Sequence, residues 1–279
     1  MASQWKESPG YPKSYAHQMT GLCWWCGHPA ETGEHIFKKS DIKKHMMPNK
    51  TTDESGISMI SREDGAIREI QGPNSKHLKF RKSMCARCNN QKSQPFDNSY
   101  DLFIEYALTV ARTERCSTTI RFSDIFGSSW TKQRDNLIRY FMKHIGCRLH
   151  DNGIRVPKKM VEYMNGDSIN PDGVQFLFGN RLDLAAYLDH MEAVHNYSRV
   201  NFFTGDPVVL TRKKPEPGCR IRSHLTSESF CVEYLVDLDG NLEASGIKGD
   251  SIEIEAGYIQ NPEGMMNDCG ICLSESKKN

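Results

Sequence analysis

Two pairs of cysteines have the spacing of metal ligands. Cys23 and Cys26 form one Cys-x2-Cys pair, and Cys85 and Cys88 form a second. A turn of this kind lets two thiolates converge on one tetrahedral ion, and two such turns complete a four-sulfur zinc site. We therefore predict a structural zinc held by these four cysteines. Because sulfur would fill all four positions, this zinc would have no open position for chemistry.

A second group of polar residues adjoins the cysteine pairs. Glu34 and His35 stand in a short segment after the first pair, and Asn89 and Asn90 directly follow the second pair. An imidazole can serve as a general base, and carboxylate and amide oxygens are ligands of hard cations. Phosphodiester hydrolysis needs a water made nucleophilic and a cation at the scissile phosphate. The residue types of this group therefore suit that reaction.

The order Cys-x2-Cys, Glu-His-Ile, Cys-x2-Cys-Asn resembles the HNH endonuclease family over roughly residues 21–100. That family has a ββα-metal finger, which a four-cysteine zinc often braces. The resemblance implies that His35 is the general base and that Glu34 is a ligand of the catalytic divalent cation. Asn89 matches the other ligand, with Asn90 as the near alternative. Two oxygen ligands leave water positions free, which suits Mg²⁺.

The resemblance also sets expectations for the substrate and the products. It implies cleavage that leaves 5′-phosphate and 3′-hydroxyl ends, with DNA favoured over RNA, and a role in phage defence, restriction or a mobile element is plausible. Four lysines that closely follow His35 are predicted to contact phosphates, which would make binding salt-dependent. These lysines are Lys38, Lys39, Lys43 and Lys44.

The sequence departs from the family pattern between the cysteine pairs. The middle Asn of the motif is best matched by Asn74, which lies eleven residues before Cys85. Ser93 and Asp97 are interpreted as structural residues that tie the start of a helix to the second cysteine pair. Trp24 is predicted to be a packing residue rather than a base-stacking one.

Two alternatives stay open at this stage. A non-catalytic zinc module that binds nucleic acid or protein would need the four cysteines, but it would not need Glu34, His35 or Asn89. The second alternative is a further zinc site at the C-terminal Cys269 and Cys272. The ligands that would complete it are Cys219, Cys231 and His224.

The spacing of apolar residues indicates the elements that must position these groups. We predict strands over 33–37 and 77–84, a basic helix over 40–45, a hairpin over 57–70, and helices over 97–112, 131–149, 160–164 and 182–195. The basic residues of the 131–149 helix are expected to form an ordinary solvated face. They are Lys132, Arg134, Arg139 and Lys143.

The pattern predicts an α+β protein in four segments. A lead-in covers 1–20, the HNH nuclease domain 21–112, a helical connector 113–154, and an α+β domain 155–279 whose short β-type runs alternate with turns. The role of the last segment stays open, and it can serve a protein partner or a regulatory ligand.

Composition limits the class of protein. Lys and Arg number 36 and Asp and Glu 35, but residues 1–97 hold 15 basic and 10 acidic side chains, which suits a polyanionic ligand in that part. No stretch of 18 apolar residues is present, so a transmembrane helix is not expected. The polar start lacks the apolar segment of a secretory signal, and we expect a cytoplasmic protein with no membrane partner.

Overall fold

The computed structural model describes most of the chain. The described ranges are 5–17, 20–45, 57–60, 67–70, 72–195, 202–205, 207–213, 217–243, 246–247 and 249–257. Only backbone is described for 44–45, 57–60, 67–70 and 195. Cys269 and Cys272, and with them the second zinc site, lie outside these ranges.

The fold is mixed α+β, as the sequence predicts. The helices are α1 (Lys39–His45), α2 (Gln94–Thr113), α3 (Phe122–Phe126), α4 (Trp130–Asp151), α5 (Lys158–Asn165) and α6 (Leu182–His195). The strands are β1 (Lys6–Ser8), β2 (Ile57–Ile60), β3 (Ile67–Ile70), β4 (Thr118–Arg121), β5 (Val174–Arg181), β6 (Phe202–Phe203), β7 (Val208–Arg212), β8 (Gly218–Ser227), β9 (Phe230–Asp237) and β10 (Ser251–Gly257).

An eight-stranded sheet forms the larger part of the fold. Its strand order is β1-β7-β8-β9-β5-β10-β4, and β6 pairs with β8. Neighbours are antiparallel except β10 and β5, which run parallel. Strand β1 comes from the predicted lead-in and β4 from the predicted connector, so the sheet draws on three of the four predicted segments.

Helices α2 and α4 cover one face of this sheet. Along β9 buried and half-buried residues alternate, because successive side chains of a strand point to opposite faces. The buried face meets the helices through a cluster of phenylalanine rings whose centroids lie 5.6–6.4 Å apart. The cluster consists of Phe103, Phe141, Phe176, Phe178 and Phe230.

Helix α4 is buried on nearly all sides from Asn136 to His150. It packs between the sheet and the segments that carry the cysteine pairs. This environment overturns the expected solvated face at one position: Lys143 is only 1% exposed. The apolar spacing of α4 marked one buried face, but a helix enclosed by two layers buries its polar residues as well.

The two predicted strands that flank the hairpin form an irregular ribbon, in which residues 32–36 pair with residues 78–84. Isolated bridges join Thr32 to Met84 and His35 to Lys79 in antiparallel fashion. The backbone N–H of Phe80 donates to the carbonyl of Glu34 at 2.9 Å. Neither segment forms a regular strand, which corrects the predictions for 33–37 and 77–84.

Two local features explain this irregularity. The second segment starts as a 3₁₀ turn, Lys76–Leu78, because the Ser75 hydroxyl accepts the N–H of His77. Gly33 lies so close to the ribbon's other segment that a Cβ there would stand 2.2 Å from the carbonyl oxygen of Phe80. The hairpin predicted over 57–70 is confirmed, with Ile57 opposite Ile70 in the β2–β3 pair.

Candidate functional site

The four predicted cysteines come together in one cluster. The sulfur atoms of Cys23, Cys26, Cys85 and Cys88 all lie within 4.8 Å of one another, and Cys26 and Cys85 are 3.5 Å apart. Four sulfurs about 2.3 Å from one zinc ion would be about 3.8 Å apart. The cluster can therefore hold a metal ion such as zinc.

The first cysteine pair is docked on α4 and α5 through its tryptophans, Trp24 on α4 and Trp25 on α5. Trp25 is buried, and its indole N–H donates to the side-chain oxygen of Asn165 at 2.9 Å. Trp24 lies so close to the helix that a Cβ at Gly146 would stand 2.5 Å from its ring. The prediction that Trp24 packs against protein is confirmed.

His35 lies near one end of the ribbon, directly opposite Lys79. Its Nε2 is 3.0 Å from the backbone carbonyl of Pro73. A carbonyl only accepts hydrogen bonds, so Nε2 carries the proton and Nδ1 keeps the lone pair. Burial lowers the pKa of His35, and the nearby Lys79 and Lys39 lower it further, against the opposing effect of the Pro73 carbonyl. The imidazole is therefore neutral near pH 7.

The Glu34 carboxylate faces α2 and α4. Its Oε1 is 3.2 Å from the Nζ of Lys143, and the same ammonium is 2.9 Å from Oδ1 of Asp97. Burial raises the pKa of Glu34, while Lys143 opposes that shift. The structure thus brings Glu34 to Asp97 and to a lysine of α4 that the sequence did not connect with the site.

Asn89 and Asn90 follow Cys88 in a π-helical turn, Arg87–Lys92, that leads into α2. Asn89 has a buried side-chain oxygen, Oδ1, for which the described residues provide no hydrogen-bond donor. Asn90 is exposed. Of the two, Asn89 therefore has the better placed oxygen for a cation.

Ser93 and Asp97 form the tie that the sequence predicts. The Ser93 hydroxyl donates to the carbonyl of Asn89 at 2.7 Å and lies 3.3 Å from Oδ2 of Asp97. Asp97 also makes a contact that was not predicted: its other carboxylate oxygen, Oδ1, accepts a hydrogen bond from the Lys143 ammonium. The residues that follow the second cysteine pair are thereby fixed to α4.

The four predicted phosphate ligands have different environments. The Lys38 ammonium is 2.7 Å from Asp101, also bonds the carbonyl of Asp97, and its side chain is only 13% exposed. It is therefore engaged inside the protein, which corrects its predicted role. Lys39 is half-buried near His35 and Lys43 is exposed. The side chain of Lys44 lies outside the described residues.

The sequence missed two residues of this site. Lys79 is the ribbon partner of His35, and only the register of the ribbon reveals it. Lys143 lies more than a hundred residues from Glu34, and no local pattern links the two. The loop that contains Asn74, the predicted middle Asn of the motif, does contact His35. The contact is made by the backbone carbonyl of Pro73 and not by the Asn74 side chain.

Comparison of the chain with protein-family models, curated proteins and solved structures finds no match. The class of site is thus defined by its own residues: a four-thiol metal cluster beside a neutral imidazole and a carboxylate pair. The likeness to HNH endonucleases rests on these residues and their spacing. None of the helices among the described residues has the length and apolar character to cross a membrane.

Proposed function

We propose that the protein is a metal-dependent endonuclease that hydrolyses phosphodiester bonds of DNA, with His35 as the general base. The observation that carries the proposal is the placement of His35 between the Pro73 carbonyl and Lys79. This imidazole has one tautomer and a lowered pKa, so it is unprotonated at neutral pH and can accept a proton.

The positive charges near His35 support this assignment. On the His35 side, Lys79 and Lys39 are close enough to lower the pKa of the imidazole. Ammonium groups beside a base attract a phosphodiester, and they stabilise negative charge that develops on its oxygens. The proposal therefore assigns Lys79 and Lys39 to the phosphate, in place of Lys38.

Water attack follows from these positions. Nδ1 of His35 has no hydrogen-bond partner among the described residues, so it can accept a proton from water as the water oxygen bonds to phosphorus. The bond from phosphorus to the 3′ oxygen breaks and that oxygen takes a proton from solvent water, which leaves a 5′-phosphate and a 3′-hydroxyl end. Pro73 keeps the imidazole oriented during this transfer.

A second set of donors, which begins at the neighbour of His35 in the chain, fits a divalent cation. Glu34 uses Oε1 for Lys143, and its Oε2 has no hydrogen bond or ion pair with the described residues. Asn89 adds a buried Oδ1 with no donor. Oxygen donors of this kind suit Mg²⁺, which would supply positive charge to the phosphate and to the departing 3′ oxygen. Glu34 and Asn89 are the residues we propose to hold it.

One observation favours a second function, a zinc module that binds nucleic acid without cutting it. The Lys143 ammonium already neutralises part of the charge of Glu34 and Asp97. A site that needs no metal would have this arrangement. Such a module would still bind DNA through Lys39 and Lys79 and would not depend on His35.

Cleavage of DNA by the zinc-loaded full chain tests the proposal. Supercoiled plasmid and single-stranded DNA and RNA are incubated with and without Mg²⁺ or Mn²⁺. We expect nicking that requires the cation, and we expect His35→Ala to lower the rate at least about 100-fold, because general-base catalysis contributes that much.

His28→Ala is the matched control, since His28 is exposed and lies in the first cysteine turn. It should cut at the wild-type rate. Equal cutting by His35→Ala would remove the base from the proposal. Retention of DNA by both proteins without any cutting would instead support the binding module.

A further inference from the structure

Lys143 is the least exposed charged group near the proposed site. It projects from α4, is 1% exposed, and its Nζ contacts Glu34 Oε1 at 3.2 Å, Asp97 Oδ1 at 2.9 Å and Ser93 Oγ at 3.4 Å. The two carboxylates come from different segments, one from the ribbon and the other from α2. One ammonium therefore joins three segments of the chain.

An ammonium in such a place must be fully paired. Burial of an unpaired charge costs several kcal/mol, and two carboxylates offset that cost here. The Nζ of Lys143 lies within 3.2 Å of an oxygen of each carboxylate, and a nearby opposite charge favours the charged form of an ammonium. A positive charge thus touches the carboxylate that we assign to the cation.

On this geometry, and resting on the proposed function, we infer that Lys143 is a positioning residue with two effects. It fixes Glu34 and Asp97 for the reaction, and it competes with the divalent cation for Glu34. Since Lys143 belongs to α4, the cysteine-bearing segments do not form a self-contained nuclease. The affinity for the cation is set by a helix outside the cysteine-bearing segments.

The two effects have opposite consequences when the charge is removed. In Lys143→Met, Glu34 and Asp97 lose their internal counter-charge, so a cation would bind more tightly. The same change leaves the Glu34 side chain without the contact that orients it. Tighter cation binding should therefore accompany slower cutting, whereas a merely structural role would weaken both.

Binding of Mn²⁺ to the zinc-loaded full chain, followed at pH 8 by electron paramagnetic resonance, tests the inference. We expect Lys143→Met to bind Mn²⁺ at least about tenfold more tightly than wild type and to cut DNA about tenfold more slowly at saturating Mn²⁺. Lys143→Arg, which keeps the charge, should bind Mn²⁺ within about threefold of wild type.

Lys132→Met is the matched control, because Lys132 lies on the same helix and is exposed. It should match wild type in both measurements. Thermal melting and zinc content establish that each variant is folded. An unchanged or weakened Mn²⁺ affinity in folded Lys143→Met would overturn the inference.

A second measurement decides the matter if Lys143→Met does not fold. Protein with ¹⁵N-labelled lysine is titrated with Mn²⁺, and the Lys143 ammonium signal is assigned by its loss in Lys143→Arg. We expect paramagnetic broadening of Lys143 at lower Mn²⁺ than that of Lys132. Equal broadening of both signals would place the cation elsewhere and overturn the inference.

Failure of the inference is distinguishable from failure of the proposed function. Cation-dependent cutting by wild type with no gain of affinity in Lys143→Met keeps the endonuclease and removes the inference. Tighter Mn²⁺ binding by Lys143→Met, with no cutting by either protein, supports the competition and counts against the endonuclease.

Discussion

The cysteine-bearing finger, residues 21–45 and 72–92, and the eight-stranded sheet are held together in different ways. In the sheet, β9 pairs along its whole length with residues 220–227 of β8, and phenylalanine rings fill the space beneath. In the finger, isolated bridges and a cluster of four thiols replace regular strands. We therefore expect the sheet to be stable through its own ladder and core, and the finger to depend on α4 and on a metal ion in the cluster.

Loss of the metal cluster should give the largest effect of this difference. In Cys85→Ser the four-sulfur site is incomplete, and a structural zinc supplies about 10 kcal/mol or more to a small zinc fold. We expect hydrogen exchange to become fast at the ribbon amides of Ile36 and Phe80. The β9 amides of Val232 and Tyr234 should stay protected, because their ladder does not involve the cluster.

Cys116→Ser is the control for this experiment, because Cys116 is exposed and lies outside the cluster. It should leave exchange unchanged in both regions. Equal loss of protection in the ribbon and in β9 would show that the two regions unfold as one unit. A fully protected ribbon in zinc-free Cys85→Ser would show that the finger does not need the metal.

The same difference explains what the sequence could predict. Local signals were sufficient for the Cys-x2-Cys pairs, for the β2–β3 hairpin and for the long helices. The apolar repeat predicts a helix over 97–112, and α2 spans Gln94–Thr113. These features depend on residues that are close in the sequence, so spacing alone indicates them.

Contacts between distant segments could not be predicted. Basic and apolar residues alternate over 77–81, which indicates an extended segment but does not determine which residue lies opposite His35, so the pairing with Lys79 could not be predicted. Lys143 looked like any other basic residue on a helix surface, because its burial depends on the sheet and the finger on either side of α4. The parallel pairing of β5 with β10 has the same origin.

Acid is expected to have a smaller effect on the free energy of unfolding, through protonation of His144. This residue of α4 lies 2.9 Å from the carbonyl of Ile36 in the ribbon. Burial lowers its pKa to about 3, with further lowering by Arg148 and Lys143. The unfolded chain binds the proton near the ordinary pKa of histidine, while the folded chain does not. The free energy of unfolding therefore falls as pH drops.

Between pH 6 and pH 4 this contribution should fall by about 2.5 kcal/mol. Urea unfolding of His144→Gln should show a correspondingly flatter dependence on pH than wild type, since glutamine has no proton to bind and can still donate to Ile36. Loss of zinc in acid affects both proteins alike, so the difference between them isolates His144. A slope in His144→Gln identical to that of wild type would contradict the expectation.

The smallest effect concerns the packing of Trp24 on α4. A glycine inside a helix normally costs about 1 kcal/mol relative to alanine, so Gly→Ala usually stabilises. At Gly146 a Cβ would lie 2.5 Å from the Trp24 ring, and overpacking of this kind costs about 1–3 kcal/mol. We therefore expect Gly146→Ala to lower the free energy of unfolding by about 1 kcal/mol, measured with urea.

The Trp24 ring, rather than the helix itself, should be responsible for the lower free energy of unfolding of Gly146→Ala. In a Trp24→Leu background the space beside Gly146 opens, and the same Gly146→Ala change should then stabilise the protein by about 0.5–1 kcal/mol. This reversal of sign would assign the glycine to the docking of the finger on α4. A stabilising Gly146→Ala in the wild-type background would mean that Trp24 shifts freely, and that the finger contacts α4 less closely than the sheet does.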